Sequence, residues 1–268
     1  MSDEFVAAER RLNQILAGHS PLAIAISGGV DSLTLATVAH RGLPVAPLMV
    51  HAVSPAVPVA ATARVREMAE REGWELKEIA AGEFADPAYR SNPYNRCYFC
   101  KSNLYRSIRS LTDRRIASGA NLDDLSDYRP GLQAAAEQGV VHPFVDAGID
   151  KATIRQIARL HQLHDCSELP AQPCLASRVE TGLPIRSSDL TFIDAFECEL
   201  KQTLGELSTV RVRIRSSGVH VELGRMPDAR MAPALEERAR RFCEAAGYPF
   251  VAITTYRQGS AFVSDRTT

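Results

Sequence analysis

Leu22-Ala23-Ile24-Ala25-Ile26 runs directly into Ser27-Gly28-Gly29-Val30-Asp31-Ser32, and that hexapeptide into Leu33-Thr34-Leu35-Ala36-Thr37-Val38-Ala39. An apolar run, two glycines and a second apolar run read as strand, turn and helix. Glycine lets backbone N–H groups approach an anion closely, and the helix that follows adds the positive end of its dipole, so this turn suits a phosphate. Ser27 and Ser32 add hydroxyl donors, and Asp31 can face a divalent metal. No lysine stands where Gly-x-x-x-x-Gly-Lys-Ser/Thr requires one, which separates the turn from the loop of kinases and GTPases. An ordinary strand-to-helix turn with a serine near the N-cap is the plainer reading of the same residues.

The flanking chain repeats the rhythm. Val45 to Val53 reads as a second buried strand, Thr62 to Arg71 as a charged helix and Trp74 to Ile79 as a third strand. This βαβαβ order predicts an α/β fold, a doubly wound parallel sheet whose ligand crevice lies beyond the carboxyl ends of its strands. Ahead of it, Phe5, Ala8, Leu12, Ile15 and Leu16 recur at helical spacing and predict a packing helix. A further strand, Arg115 to Ser118, leads into a turn-rich loop from Gly119 to Gly131, in which Asp123 and Asp124 are either N-caps of turns or contacts to a nucleotide or metal at the ligand edge. Val140 to Phe144 reads as a short strand, and Asp150-Lys151-Ala152-Thr153 opens a helix. His51, near a strand end, is either a nucleotide neighbour or a packed neutral side chain.

Cysteine carries the second signal. An irregular loop from Asp86 to Arg96 ends in Cys97-Tyr98-Phe99-Cys100-Lys101 at the mouth of a helix, where the dipole, Arg96 and Lys101 favour thiolate and hence metal or redox chemistry. Gln172-Pro173-Cys174-Leu175-Ala176-Ser177-Arg178 places one thiol, one hydroxyl and one cation close together. Gly182-Leu183-Pro184 reads as a linker that divides a domain at 1–183 from a smaller α+β domain at 184–268: helix, two-stranded hairpin, helix, strand. Arg211, Arg213 and Arg215 alternate along the first strand of that hairpin. They form either a solvated outer face or a clamp for phosphate or carboxylate, which Glu222 on the partner strand can bridge unless it binds a metal.

With 268 residues, 45% of them hydrophobic, the chain can bury a sizeable core in two domains. Its 31 basic and 32 acidic residues leave a net charge of -1 with no long basic run, so nucleic acid is not an expected partner. Met1-Ser2-Asp3-Glu4-Phe5 is acidic, and no stretch of about 18 apolar residues occurs, which gives the expectation of a cytoplasmic protein without a membrane span. Six cysteines in that setting do not read as a disulfide framework.

The hexapeptide resembles the pyrophosphate loop of the N-type ATP pyrophosphatases. Taken in order with Arg96-Cys97-Tyr98-Phe99-Cys100-Lys101, Asn121-Leu122-Asp123-Asp124, Asp127-Tyr128-Arg129-Pro130-Gly131 and Cys174-Leu175-Ala176-Ser177-Arg178, it makes nearly the whole chain resemble the LarE family of ATP-dependent sulfur transferases. The resemblance implies an ATP pyrophosphatase domain with a substrate and oligomerisation domain, a homo-oligomer that in this family can be a hexamer, and conversion of carboxylates on a pyridinium mononucleotide to thiocarboxylates. It implies ATP and Mg²⁺ at Ser27, Gly28, Gly29, Asp31, Ser32, Asn121, Asp123 and Asp124, with Asp31 on the magnesium. It also implies a [4Fe-4S] cluster on Cys97, Cys100 and Cys174 that takes sulfide from a donor, catalytic roles for Cys174, Ser177 and Arg178, the substrate phosphate on Arg211 and Arg213, and a metal ligand in Glu222. A structural zinc on the same cysteines is the competing chemistry, and sacrifice of the Cys174 sulfur the competing source. A non-catalytic nucleotide-binding regulator and a tRNA thiolase are the readings from other classes.

Overall fold

The computed structural model describes residues 3–126, 129–205 and 209–257. The chain divides into two units, one of Met1–Asp86 with Asn95–Gln172 and one of Pro87–Tyr94 with Pro173–Thr268.

In the N-terminal unit, strands β1 (Leu22–Ile26), β2 (Leu48–Ala52), β3 (Glu75–Ile79) and β4 (Arg115–Ser118) form an all-parallel sheet in the order β3-β2-β1-β4. The apolar run of β1 follows from its central place, because a parallel strand covered on both faces has no polar side to show. Its alternation sorts two cores. Leu22, Ile24 and Ile26 join Leu12 and Leu16 of the helix Asp3–His19, Leu33 of the helix Val30–Gly42, and Ile154 and Ile157 of the helix Lys151–Leu160. Ala23 joins Leu48, Val50 and Ile116 with Tyr105 and Ile108 of the helix Arg96–Leu111. Each fully buried leucine contributes roughly 1.5–3 kcal/mol.

The strand order reverses at β1, with β2 on one side and β4 on the other. The carboxyl ends of β1 and β4 therefore flank the topological switch point, where ligands of doubly wound sheets bind. The fold class is α/β as expected, but the strand read over Val140 to Phe144 is not formed. Only Val141 pairs, in an isolated bridge to Ala117, and the chain turns at once into the short helix Pro143–Asp146. Pro143 explains this, since proline cannot donate to a ladder yet suits the first position of a helix.

The C-terminal unit holds β5 (Val210–Arg215), β6 (Gly218–Leu223) and β7 (Phe250–Thr255) in that spatial order, β5 antiparallel and β7 parallel to β6. The parallel pair needs a crossover, which the helix Ala232–Ala245 provides. Helix Ser187–Leu204 packs on β5, and Phe192 and Phe196 stack with Tyr248 and Phe242 at 4.3 and 4.4 Å between ring centres. Asn92, buried with φ 53, ties the early segment into this unit: its amide donates to the Glu180 and Leu183 carbonyls at 2.8 and 2.9 Å, and Gly182 N–H donates to its own carbonyl. The Gly182-Leu183-Pro184 stretch is thus hydrogen-bonded at Gly182 and Leu183 to a residue of the same unit.

Candidate functional site

The glycine turn after β1 is held by its own hydroxyls. Ser27 N–H donates to Ser32 Oγ at 3.1 Å and the Ser32 hydroxyl donates to the Gly29 carbonyl at 3.1 Å, so the Ser27 hydroxyl, 3.1 Å from Ser32 Oγ, is left as the donor between them. Gly28 has φ +80, and an added Cβ would fall 2.7 Å from the Ala61 carbonyl oxygen, so both conformation and space demand glycine. Gly29 caps the helix Val30–Gly42 without a side-chain acceptor, and the first N–H groups of that 13-residue helix face the turn with no partner inside the helix.

Two further elements close on this turn. Gly119, just past β4, lies so close that a Cβ would sit 2.9 Å from Ser32 N and 3.0 Å from Asp31 C, which brings the loop after β4 against the start of the helix. Lys151, from the first turn of the helix Lys151–Leu160, places its ammonium on Asp31 Oδ2. The other oxygen, Oδ1, is buried without a hydrogen-bond partner among the described residues, and burial raises the Asp31 carboxyl above its ordinary value of 3.8 despite the lysine. A buried acceptor with an unused oxygen beside a phosphate-type turn fits a divalent cation.

Asn121, Asp123 and Asp124 lie in the loop after β4. Asn121 Oδ1 accepts from Asp123 N–H at 3.0 Å and Asp124 Oδ2 from Asn121 N–H at 3.2 Å, a capping box on the short helical turn Leu122–Leu125. Asp123 Oδ2 accepts from Lys151 N–H at 3.0 Å, and Asp124 pairs with Arg129 at 2.9 Å. Asp127 and Tyr128 lie outside the described residues. His51 is the packed neutral side chain of the two readings: it is 1% exposed, Nδ1–H donates to the Ile26 carbonyl at 2.9 Å, Nε2 accepts from the Thr62 hydroxyl at 2.9 Å, and burial lowers its pKa.

Cys97 and Cys100 occupy the opening turns of the helix Arg96–Leu111, both half-buried, at i and i+3 and hence on one side of it. Gly131 packs against this turn, its position for a Cβ lying 3.1 Å from Lys101 Cγ and 3.7 Å from the Cys97 carbonyl oxygen, so the Arg129-Pro130-Gly131 segment and the cysteine pair meet. Two thiols at this spacing fit two corners of a thiolate-bound metal group. Among the described residues, no group of three or more His, Cys, Asp or Glu side chains is gathered to hold a metal. Cys166 and Cys243 are buried, and burial pushes their thiols up, Cys243 to about 11, as suits inert packing residues.

In the C-terminal unit, Cys174 is exposed and opens the short helical turn Leu175–Arg178. Arg178 is turned inward. Its guanidinium forks onto Glu197 at 2.9 and 3.0 Å, both side chains 3% exposed, and its remaining nitrogen donates to the Pro173 carbonyl at 2.6 Å, the Cys174 carbonyl at 3.1 Å and Ser177 Oγ at 3.1 Å. Arg213 in turn donates to the Ser177 carbonyl at 3.1 Å and lies 2.7 Å from Glu222, whose second oxygen takes Arg215 at 2.8 Å. Of the two readings of this strand's arginines, the solvated face does not hold for Arg211 and Arg213, which are buried: Arg213 lies against the Ser177 carbonyl and Glu222, and the Arg211 guanidinium lies 5.7 Å from the centre of the Tyr256 ring. Glu222 does bridge the strand's arginines.

Gly119, Lys151 and Glu197 were not singled out from the sequence. Gly119 carried a signal in its place directly after β4 at the ligand edge. Glu197 carried one as an acid within the apolar stripe Ile193, Phe196, Leu200, where a charge needs a partner. Lys151 had none, since its partner is 120 residues away.

These features define an α/β protein with a phosphate-type turn at the switch point of a parallel sheet and a second unit that presents a thiol. The chain belongs to the same family as the uncharacterized protein slr1717 of Synechocystis, with which it is 38% identical over 216 residues, 79% of this chain and 80% of that protein. It is 27% identical to the uncharacterized protein MJ0830 of Methanocaldococcus jannaschii over 74% of each chain. It is 25% identical to the pyridinium-3,5-bisthiocarboxylic acid mononucleotide synthase of Lactiplantibacillus plantarum, over 71% of this chain and 69% of the synthase. No family model matches the chain, and no helix among the described residues is long and apolar enough to cross a membrane.

Proposed function

We propose that this protein is an ATP-dependent sulfur transferase of the LarE type, with an N-type ATP pyrophosphatase fold, which converts a carboxylate on a pyridinium mononucleotide to a thiocarboxylate. The observation that carries the reading is the glycine turn after β1, with its uncapped helix start and the unused Asp31 oxygen, at the switch point of the sheet. The likeness to the synthase supports the substrate class.

A carboxylate resists sulfide because it would have to expel an oxide. ATP supplies the leaving group. The carboxylate oxygen attacks the α-phosphorus, the bond to the bridging oxygen breaks, and pyrophosphate leaves with the electron pair into the N–H groups of the turn and the helix start. Asp31 would hold magnesium, which supplies positive charge against the phosphates when bound. A sulfur nucleophile then attacks the acyl carbon, and AMP leaves with the former carboxylate oxygen. Cys97, Cys100 and Cys174 would hold a [4Fe-4S] cluster, which supplies an open iron for an exogenous sulfide when bound. In this scheme Arg178 and Ser177 fix the backbone that presents Cys174, while Arg211 and Arg213 receive the substrate phosphate once Glu222 yields part of its hold on Arg213.

Anaerobically purified protein is incubated with Mg·ATP, sulfide and a pyridinium dicarboxylate mononucleotide. The expected result is AMP and pyrophosphate in step with thiocarboxylate, while Cys97→Ala stops thiocarboxylate but leaves AMP release. ADP and phosphate, or no turnover, would contradict the proposal.

A further inference from the structure

The glycine turn has no lysine of its own, and Lys151 is engaged by Asp31, yet a phosphate leaving group carries several negative charges. Arg64 is a second cation that reaches the turn. It belongs to the helix Val59–Glu72, one turn beyond Ala61, the residue whose carbonyl oxygen lies 2.7 Å from the Cβ position at Gly28. That close contact and the i, i+3 spacing bring the Arg64 side chain to the same point: Nη1 donates to the Gly28 carbonyl at 2.7 Å. Its other partner among the described residues is the Gln172 amide oxygen at 3.4 Å. Both acceptors are neutral; Glu67, on the same helix, acts on this half-buried guanidinium through space, but no carboxylate among the described residues forms an ion pair with it. The contrast with its neighbours is plain, since Arg66 and Arg71, on the same helix, pair with Glu78 and with Glu72 and Asp165. Burial pulls the Arg64 guanidinium below its ordinary range, although it stays charged.

We infer that Arg64 is a polyphosphate-binding residue, supplying from the helix Val59–Glu72 the cation that the glycine turn lacks. Resting on the Gly28 carbonyl, it is held beside the N–H groups that face the anion, and its planar fork keeps further donors for phosphate oxygens. This rests on the reading of the turn as a nucleotide site.

The test is calorimetric titration of the full chain and of Arg64→Gln and Arg64→Lys with inorganic pyrophosphate and with adenosine, alongside thermal unfolding. Loss of a charge-assisted contact is expected to weaken pyrophosphate by about ten- to a hundred-fold in Arg64→Gln, with a shallower salt dependence and adenosine unchanged. Arg64→Lys, which keeps the charge, is expected to recover most of the loss. Equal weakening of pyrophosphate and adenosine, or failure of lysine to restore pyrophosphate binding in a chain of unchanged stability, would show a purely structural staple and overturn the assignment. Wild-type binding that Arg64→Gln leaves untouched would overturn it as well, while the nucleotide reading stands. A wild-type chain that binds neither ATP nor pyrophosphate would overturn that reading and this assignment together.

Discussion

The glycine turn of the N-terminal unit and the arginine network of the C-terminal unit handle polar groups in opposite ways. At the turn, the helix start has no side-chain cap and the buried Oδ1 of Asp31 has no hydrogen-bond partner among the described residues, a cost that a charged ligand can repay. Around Arg178, a guanidinium is committed to two carboxylate oxygens, two carbonyls and a hydroxyl, and nearly all of it is sealed from water. One arrangement has capacity left for a charge. The other holds a thiol-bearing backbone in place through the contacts of its arginine.

The sharpest way to break this contrast is Gly28→Val. A β-branched side chain at φ +80 against the Ala61 carbonyl must displace the turn, and loss of ATP and pyrophosphate binding below detection by calorimetry is expected, with a stability cost of roughly 1–3 kcal/mol. Binding within a few-fold of wild type would show that the turn is not the anion site. Glu197→Ala strikes the other region by leaving the buried Arg178 charge without its carboxylate. Urea unfolding should show a loss of about 3–5 kcal/mol, while ATP affinity of the folded chain holds within about twofold, as additivity predicts for sites that share no partners. A parallel fall in ATP affinity would mean the two regions are energetically one.

Asp31→Asn separates the cation role from the fold. Because burial raises the native carboxyl pKa above the unfolded value of 3.8, ionisation costs the folded state, and wild type loses stability as pH rises through that window. The asparagine variant should lack this fall and keep its thermal midpoint near neutrality, yet lose the magnesium dependence of ATP binding. A magnesium response that survives the substitution would remove Asp31 from the metal. His51→Gln should give the smallest effect. The native His51 pKa lies below the unfolded value of 6.5, so wild type loses stability as pH falls through that value when the unfolded chain takes up the proton. Comparing thermal midpoints above and below it should show a slightly smaller acid loss in the variant.

What the sequence disclosed about each region follows from the range of the interactions. Strand, glycine turn and helix are adjacent along the chain, so periodicity and glycine placed β1, the turn and the start of Val30–Gly42, and the same rhythm placed β2, β3 and β4. Gly119, Lys151 and Arg64 reach the turn from elements that are distant in sequence, and no local pattern announces where such side chains end up. The alternation of Arg211, Arg213 and Arg215 was legible but its meaning was not, because alternation gives a shared face without saying what lies against it. At Val140 to Phe144 the apolar run invited a strand, and the one residue that decided otherwise was Pro143.

In the proposed reaction, ATP activates a carboxylate for attack by sulfur. Its most direct measurement is mass spectrometry of AMP after turnover with an acceptor whose carboxylate carries a heavy oxygen label. Attack of the carboxylate on the α-phosphorus, followed by sulfur at the acyl carbon, predicts that one labelled oxygen moves into AMP while pyrophosphate stays unlabelled. Unlabelled AMP beside a thiolated product, or label in phosphate released with ADP, would overturn the proposed reaction.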